Sequence, residues 1–169
     1  MFFGHKDDST FIQLPDKGRG ERPLVAFVVL GETLRMGEIV QFVHHGLAKI
    51  TPKILQETYR KLPMLRLEFA EGDDADYPHL AEQLEFLSAV VEDFAEGVAD
   101  EIPYVTAAAA VFALQYAHRQ IDLIPNSIPG VGRADDSAVV RAVLIEHEKV
   151  LAEYAEKQGL VWEEITVQP

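Results

Sequence analysis

The sequence predicts a mainly α fold, a compact helical bundle with short strands confined to the N-terminal segment and the C-terminal tail. Three observations carry this. Apolar residues recur at steps of three, four and seven through Leu80, Leu84, Leu87, Val91, Phe94 and Val98, the spacing of one helix face. No charged residue occurs from Ile102 to Ala117, a stretch that includes four consecutive alanines at Ala107 to Ala110. A third stripe of Val139, Val140, Val143, Leu144, Val150, Leu151 and Tyr154 follows the same period. The chain is expected to be at least half helical.

The first thirty residues carry weaker signals. Thr10 to Leu14 has the composition of a short strand closed by Pro15 and the turn-prone Asp16 to Gly20. Leu24 to Leu30 is a continuous apolar run that suits a buried strand or a buried helical segment, and periodicity does not separate the two. Met36, Ile39, Val40, Val43 and Leu47 then mark a helix reaching about Gly46.

Thr51-Pro52 reads as a helix start, because the threonine hydroxyl can accept from a free amide and proline needs no donor in the first turn. Ile54, Leu55, Tyr59 and Leu62 form its buried stripe, with the helix expected to end at Pro63. Glu71 to Asp76 reads as an acidic loop, with Asp76 as a cap for the helix that follows. Asp100 is expected to cap the uncharged helix, with Pro103 in its first turn. Its sixteen uncharged residues would cover about 24 Å, short of the roughly 20 residues a bilayer span requires, so it is read as the central buried helix. Asp135-Asp136-Ser137 opens the last long helix, expected to run to Gly159, and the tail from Leu160 is expected to pack back as an extended segment.

With 169 residues and no internal repeat, the chain reads as a single domain over 1–169. The absence of cysteine excludes disulfides, thiolate metal sites and thiol nucleophiles, and fits a cytoplasmic protein. Charged residues among positions 2 to 22 interrupt any apolar stretch that could act as an export signal. The formal net charge is −13, and the stretch from Ala70 to Ile102 carries eleven acidic residues with no lysine or arginine. Such a surface repels phosphate backbones and anionic leaflets, so nucleic acid is not an expected partner. Membrane contact through Phe2, Phe3 and the apolar N-terminal run is the weaker expectation. A protein partner or a second copy of the chain is the favoured one, with the acidic stretch as a solvated helix face or a site for a basic partner.

The best polar constellation is His118, Asp122, Asp135 and Asp136. If the loop between the two helices folds their ends together, an imidazole and three carboxylates meet. Imidazole with carboxylate suits zinc, manganese or iron, and an all-oxygen subset suits magnesium. The competing reading, and the preferred one, is structural: Asp135 or Asp136 caps free amides, and Asp122 closes an Asx-type turn. The loop itself, with Pro125, Asn126, Pro129, Gly130 and Gly132, forbids an ordinary helix interior and permits positive φ. Ile121, Leu123, Ile124 and Ile128 are its expected anchors in the core. His147 lies too far along its helix to join the set and reads as part of a solvated patch with Glu146 and Glu148; His44 and His45 diverge on their helix and cannot clamp one ion. No phosphate loop, dinucleotide fingerprint, His-Glu-x-x-His or Gly-x-Ser-x-Gly occurs in the sequence. No cofactor is therefore expected, and a divalent metal is the one alternative.

Leu114-Gln115-Tyr116-Ala117, Ile121-Asp122-Leu123-Ile124-Pro125, Ile128-Pro129-Gly130-Val131-Gly132 and Asp135-Asp136 together resemble the central signature of the YkvA family, a bacterial-type domain. That signature is a hydrophobic helix, an Asp-Leu-Ile-Pro-Asp turn, an Ile-Pro-x-x-Gly loop and an Asp-Asp pair opening a second helix. The resemblance covers about residues 101–155 and leaves 1–70 as an N-terminal extension. Asn126 stands where family members usually carry aspartate, and His118-Arg119-Gln120 where they tend to be more apolar. The resemblance implies a helix-loop-helix core and leaves the activity open. The functional expectation is a helical interaction or scaffold module; the alternatives are a divalent-metal-dependent enzyme, such as a hydrolase, at His118, Asp122, Asp135 and Asp136, and a peripheral membrane-associated protein.

Overall fold

The computed structural model describes residues 36–71, 77–118 and 134–166. Within them lie seven helices and no strand, and the helices alone hold more than half of the chain's residues. The N-terminal strand expectations, the acidic loop with its Asp76 cap, and the signature loop fall outside the described residues.

Helix α1 (Met36–Leu47) buries Ile39 and Val43. Helix α2 (Pro52–Glu71) starts as expected: the amide of Ile54 donates to Thr51 Oγ1 at 3.3 Å. It does not stop at Pro63 but runs eight residues past it. The missing proline amide and its ring cost a helix interior about 3 kcal/mol. Beyond it Leu65 and Phe69 are 2% and 3% exposed, and each such burial contributes about 1.5–3 kcal/mol. Continuation of the apolar stripe outweighs the breaker.

Helix α3 (Leu80–Glu96) buries Leu80, Leu84, Leu87 and Val91 as its period predicts, and ends at Gly97, whose φ of 70° is the left-handed cap that glycine adopts without strain. Val98 lies beyond that stop and is exposed, so it does not extend the stripe. Helix α4 (Tyr104–His118) begins four residues after Asp100, out of position for the expected cap; the carbonyl of Pro103 instead receives the first amides, from Thr106 and Ala107.

Ala107, Ala108, Ala109, Ala110, Val111, Ala113 and Leu114 are fully buried, and α4 packs against α1, α2 and α3. This is the expected central helix. Its small side chains allow close approach: Gly46 of α1 sits directly over the Phe112 ring, where any Cβ would overlap it. Phe42 meets Phe112 and Tyr116 edge-on, with centroids 5.7 and 5.6 Å apart.

The last long helix is two. Helix α5 (Ala134–Glu146), which also packs on α1 and α4, is followed by α6 (Glu148–Lys157), with His147 between them at φ −111° and ψ 17°. The hydrogen-bond ladder survives the break, since the His147 amide donates to Val143 and the His147 carbonyl accepts from Leu151. Gly159, at φ 72°, turns the chain as expected. The tail then forms a single helical turn, α7 (Trp162–Ile165), rather than an extended segment. The Gln83 side-chain amide donates to the Ile165 carbonyl at 2.9 Å, and Trp162 packs its ring 6.0 Å from that of Phe86. No helix among the described residues is long and apolar enough to cross a membrane.

Candidate functional site

A hydrogen-bonded pair links the end of α4 to the start of α5. The Tyr116 hydroxyl donates to Asp135 Oδ2 at 2.9 Å, and Asp135 Oδ1 accepts from the amide of Asp136 at 3.1 Å. Asp135 is 1% exposed and Asp136 is fully buried. Both stand in the first turn of α5, where the unsatisfied amides and the positive end of the helix dipole favour negative charge.

His118 turns elsewhere. Its Nδ1 lies 2.8 Å from Glu68 Oε2, which ties the end of α4 to α2. Among the described residues no group of three or more His, Asp or Glu side chains converges as a metal site would. Asp122, Pro125, Asn126, Pro129, Gly130 and Gly132 lie outside the described residues, as do the expected anchors Ile121, Leu123, Ile124 and Ile128.

His147 is half-buried, unlike its exposed neighbours Glu146 and Glu148. Its Nδ1 lies 3.1 Å from Thr106 Oγ1, and Thr106 is 1% exposed. Burial pushes the imidazole below its ordinary pKa; neighbouring Glu146 opposes the shift and His44 adds to it. Glu146 in turn meets His44 Nε2 at 3.1 Å, which joins α5 to α1. The sequence hid this because the helix break at His147 re-aims the side chain towards α4.

A groove of about 750 Å³ is bounded by the end of α2, the outer face of α3, Tyr154 of α6 and the α7 turn. Leu160, Val161 and Ile165 make its open apolar surface over the buried Phe69 and Phe86, while Glu82, Glu85, Asp93 and Glu164 bring carboxylates to it. Among the described residues its one cation is Arg66, held by Glu85 at 3.0 Å and Glu92 at 2.8 Å. The Glu92 hydrogen bond raises the guanidinium pKa against the opposing effect of burial, so Arg66 stays charged within this ion pair. At the opposite wall the Tyr154 hydroxyl donates to Asp93 Oδ2 at 2.7 Å, and Gln158 Nε2 donates to the same oxygen at 3.2 Å. Burial, then the Asp93 hydrogen bond, pushes the Tyr154 pKa up.

Sequence reasoning marked the acidic stretch of α3 but not this groove. Its second wall is built from Leu160 and Val161, roughly seventy residues away in the chain, and only the turn at Gly159 brings them alongside Phe86.

Comparison with known proteins adds one match, and it coincides with the α4–α5 pair. A family model described as a protein of unknown function, DUF1232, matches residues 106–141, a span that begins at the Thr106 contact with His147 and contains Tyr116, Asp135 and Asp136. No curated protein and no solved structure matches the chain. The chain is therefore similar, over about a fifth of its length, to a domain whose function is unknown.

Proposed function

We propose that this chain is a helical protein-interaction module of the cytoplasm, that residues 1–169 act as one domain, and that 101–155 form a YkvA-type core within it. The family match at 106–141 lies inside that core and supports the assignment. The observation that carries the interaction reading is the groove: among the described residues it is a concave surface on which the adjacent Leu160 and Val161, 48% and 51% exposed, stand beside carboxylates. A photo-crosslinking residue at Leu160 in the intact chain tests it, with the same residue at the distant, solvent-exposed Lys53 as control. Discrete adducts from position 160, absent from position 53 and suppressed by Ala89→Arg inside the groove, are the expected outcome. Identical adduct patterns from both positions sink the reading.

The burial of Asp135 and Asp136 favours a second reading, a divalent-metal-dependent hydrolase in which Asp122, and His118 once released from Glu68, complete the set. Carboxylate oxygens with one imidazole suit manganese, iron or zinc. Metal analysis of chelator-free protein checks it: stoichiometric metal that is lost in Asp135→Ala would place this reading first.

A further inference from the structure

We propose that the occupant of the α3–α7 groove is a basic, amphipathic segment of another protein, its apolar side chains seated on Leu160 and Val161 and its lysines or arginines facing Glu82, Glu85 and Glu164. The proposal rests on the reading of this groove as an interaction surface and adds the chemistry of what it binds.

The apolar wall is built rather than loose. Gly159 donates to the carbonyl of Glu156, and the amide of Leu160 donates to the carbonyl of Ala155 at 2.9 Å, which is the backbone pattern of a glycine-terminated helix end. Leu160 is thus held in its exposed position by the cap of α6. The α7 turn behind it is pinned by Gln83 to the Ile165 carbonyl and by the Arg141 guanidinium to the Thr166 carbonyl at 3.4 Å. A surface prepared in this way loses little conformational freedom when it is covered.

The charge on the groove selects its partner. Among the described residues one arginine and four carboxylates line it, an excess of three negative charges, and the arginine is already engaged by Glu85 and Glu92. Glu82 and Glu85 have side chains 76% and 57% exposed, and Glu164 is exposed as well. A neutral segment would strip water from these carboxylates without replacing it, and an acidic one would be repelled. A segment with cations beside its apolar face satisfies both parts of the groove. Because exposed ion pairs contribute little individually, apolar burial supplies most of the affinity, and charge sets the choice of partner and the rate of encounter. From Glu82 to Asp93 the α3 face spans about 16 Å, which matches about three turns of a docked helix.

The test is selection on the full-length chain from a phage-displayed library of random peptides of about 16 residues, long enough to cover that face. Selected peptides are then measured by fluorescence anisotropy. The expected peptides combine lysine or arginine with apolar residues at three- and four-residue spacing. Their binding weakens about tenfold or more in Leu160→Asp, as for a central apolar contact. It weakens again in Glu82→Lys/Glu164→Lys, and as salt rises from roughly 50 to 200 mM. Ala89→Arg, which fills the groove, serves as a second variant, and circular dichroism confirms that each variant remains folded. Neutral or acidic peptides that still depend on Leu160 overturn the charge assignment and leave the groove as an interaction surface. Peptides insensitive to Leu160→Asp and Ala89→Arg, or no enrichment at all, overturn both. A concentration-dependent dimer that Leu160→Asp abolishes in sedimentation also overturns the proposal, because the occupant is then a second copy of this acidic chain.

Discussion

Thr106 and His147 meet with Oγ1 3.1 Å from Nδ1, joining the buried beginning of α4 to the single residue at which the last helical stretch breaks. The threonine is 1% exposed, so this contact sits where water cannot easily solvate an imidazolium. Burial depresses the imidazole pKa in the fold below the 6.5 of the free side chain, Glu146 partly offsetting it and His44 adding to it. The unfolded chain therefore takes up the proton first as pH falls. Stability from the neutral histidine is complete above about pH 6.5 and declines as pH drops from there towards the lower folded value. The melting temperature of the wild-type chain should fall more steeply between roughly pH 7 and 5 than that of His147→Gln, which keeps a polar neutral side chain. Parallel profiles for the two proteins refute the linkage.

Gly46 of α1 reads in the opposite direction from an ordinary helical glycine. Alanine normally stabilises such a position by about 0.5–1 kcal/mol. Here the added methyl group would enter the Phe112 ring, and forcing atoms into a packed interface costs about 1–3 kcal/mol. Gly46→Ala should therefore lower stability in urea denaturation, and Phe112→Leu in the same chain should recover part of the loss. A stabilised Gly46→Ala would mean that Phe112 moves aside freely.

How legible these features are in the sequence depends on whether the deciding interaction is local. Helix α4 is plain because nothing charged occurs between Ile102 and Ala117, and the period of α3 down to Val91 is equally direct. Pro63 is misleading because its local cost is outweighed by Leu65 and Phe69 packing on other helices, a tertiary gain that no window around the proline contains. The break at His147 has no glycine or proline to announce it. At the candidate site, adjacent aspartates at a helix start are visible at once, yet the donor that engages Asp135 is Tyr116, 19 positions earlier. That tyrosine reads simply as an aromatic in an apolar helix. His118, chosen for its place in the chain, is drawn to Glu68 of α2.

The contact of Tyr154 with Asp93 makes a direct prediction for the wall between α3 and α6. The hydroxyl of Tyr154, a residue 1% exposed, is 2.7 Å from a carboxylate oxygen of the partly buried Asp93. Tyr154→Phe removes the donor and leaves Asp93 with the exposed Gln158 amide. A loss of about 1–3 kcal/mol in chemical denaturation is expected, the range for a hydrogen bond to a charged group with a partly buried acceptor left behind. A change below a few tenths of a kcal/mol would show that Gln158 and water replace the hydroxyl.

The Tyr116 and Asp135 pair separates a structural from a catalytic role for the start of α5. The carboxylate accepts from the tyrosine with one oxygen and from the Asp136 amide with the other, so one atom ties α5 to the end of α4 while the other serves the first turn of α5 itself. If that is their role, Tyr116→Phe and Asp135→Asn each lower the melting temperature, through about 1–3 kcal/mol lost at a charge-assisted bond. The double variant should then lose less than the two single losses added together, because Tyr116→Phe already breaks the shared contact and Asp135→Asn already weakens it. Asparagine keeps the size of the side chain and one acceptor oxygen, so its effect reports the charge rather than the packing. The metal reading makes the reverse pattern: Asp135→Asn melts like the wild type in the presence of chelator yet no longer retains a divalent ion or an associated hydrolytic activity, while Tyr116→Phe keeps both. Observing that second pattern would assign the buried carboxylate to chemistry and remove it from the account of how α4 and α5 are joined.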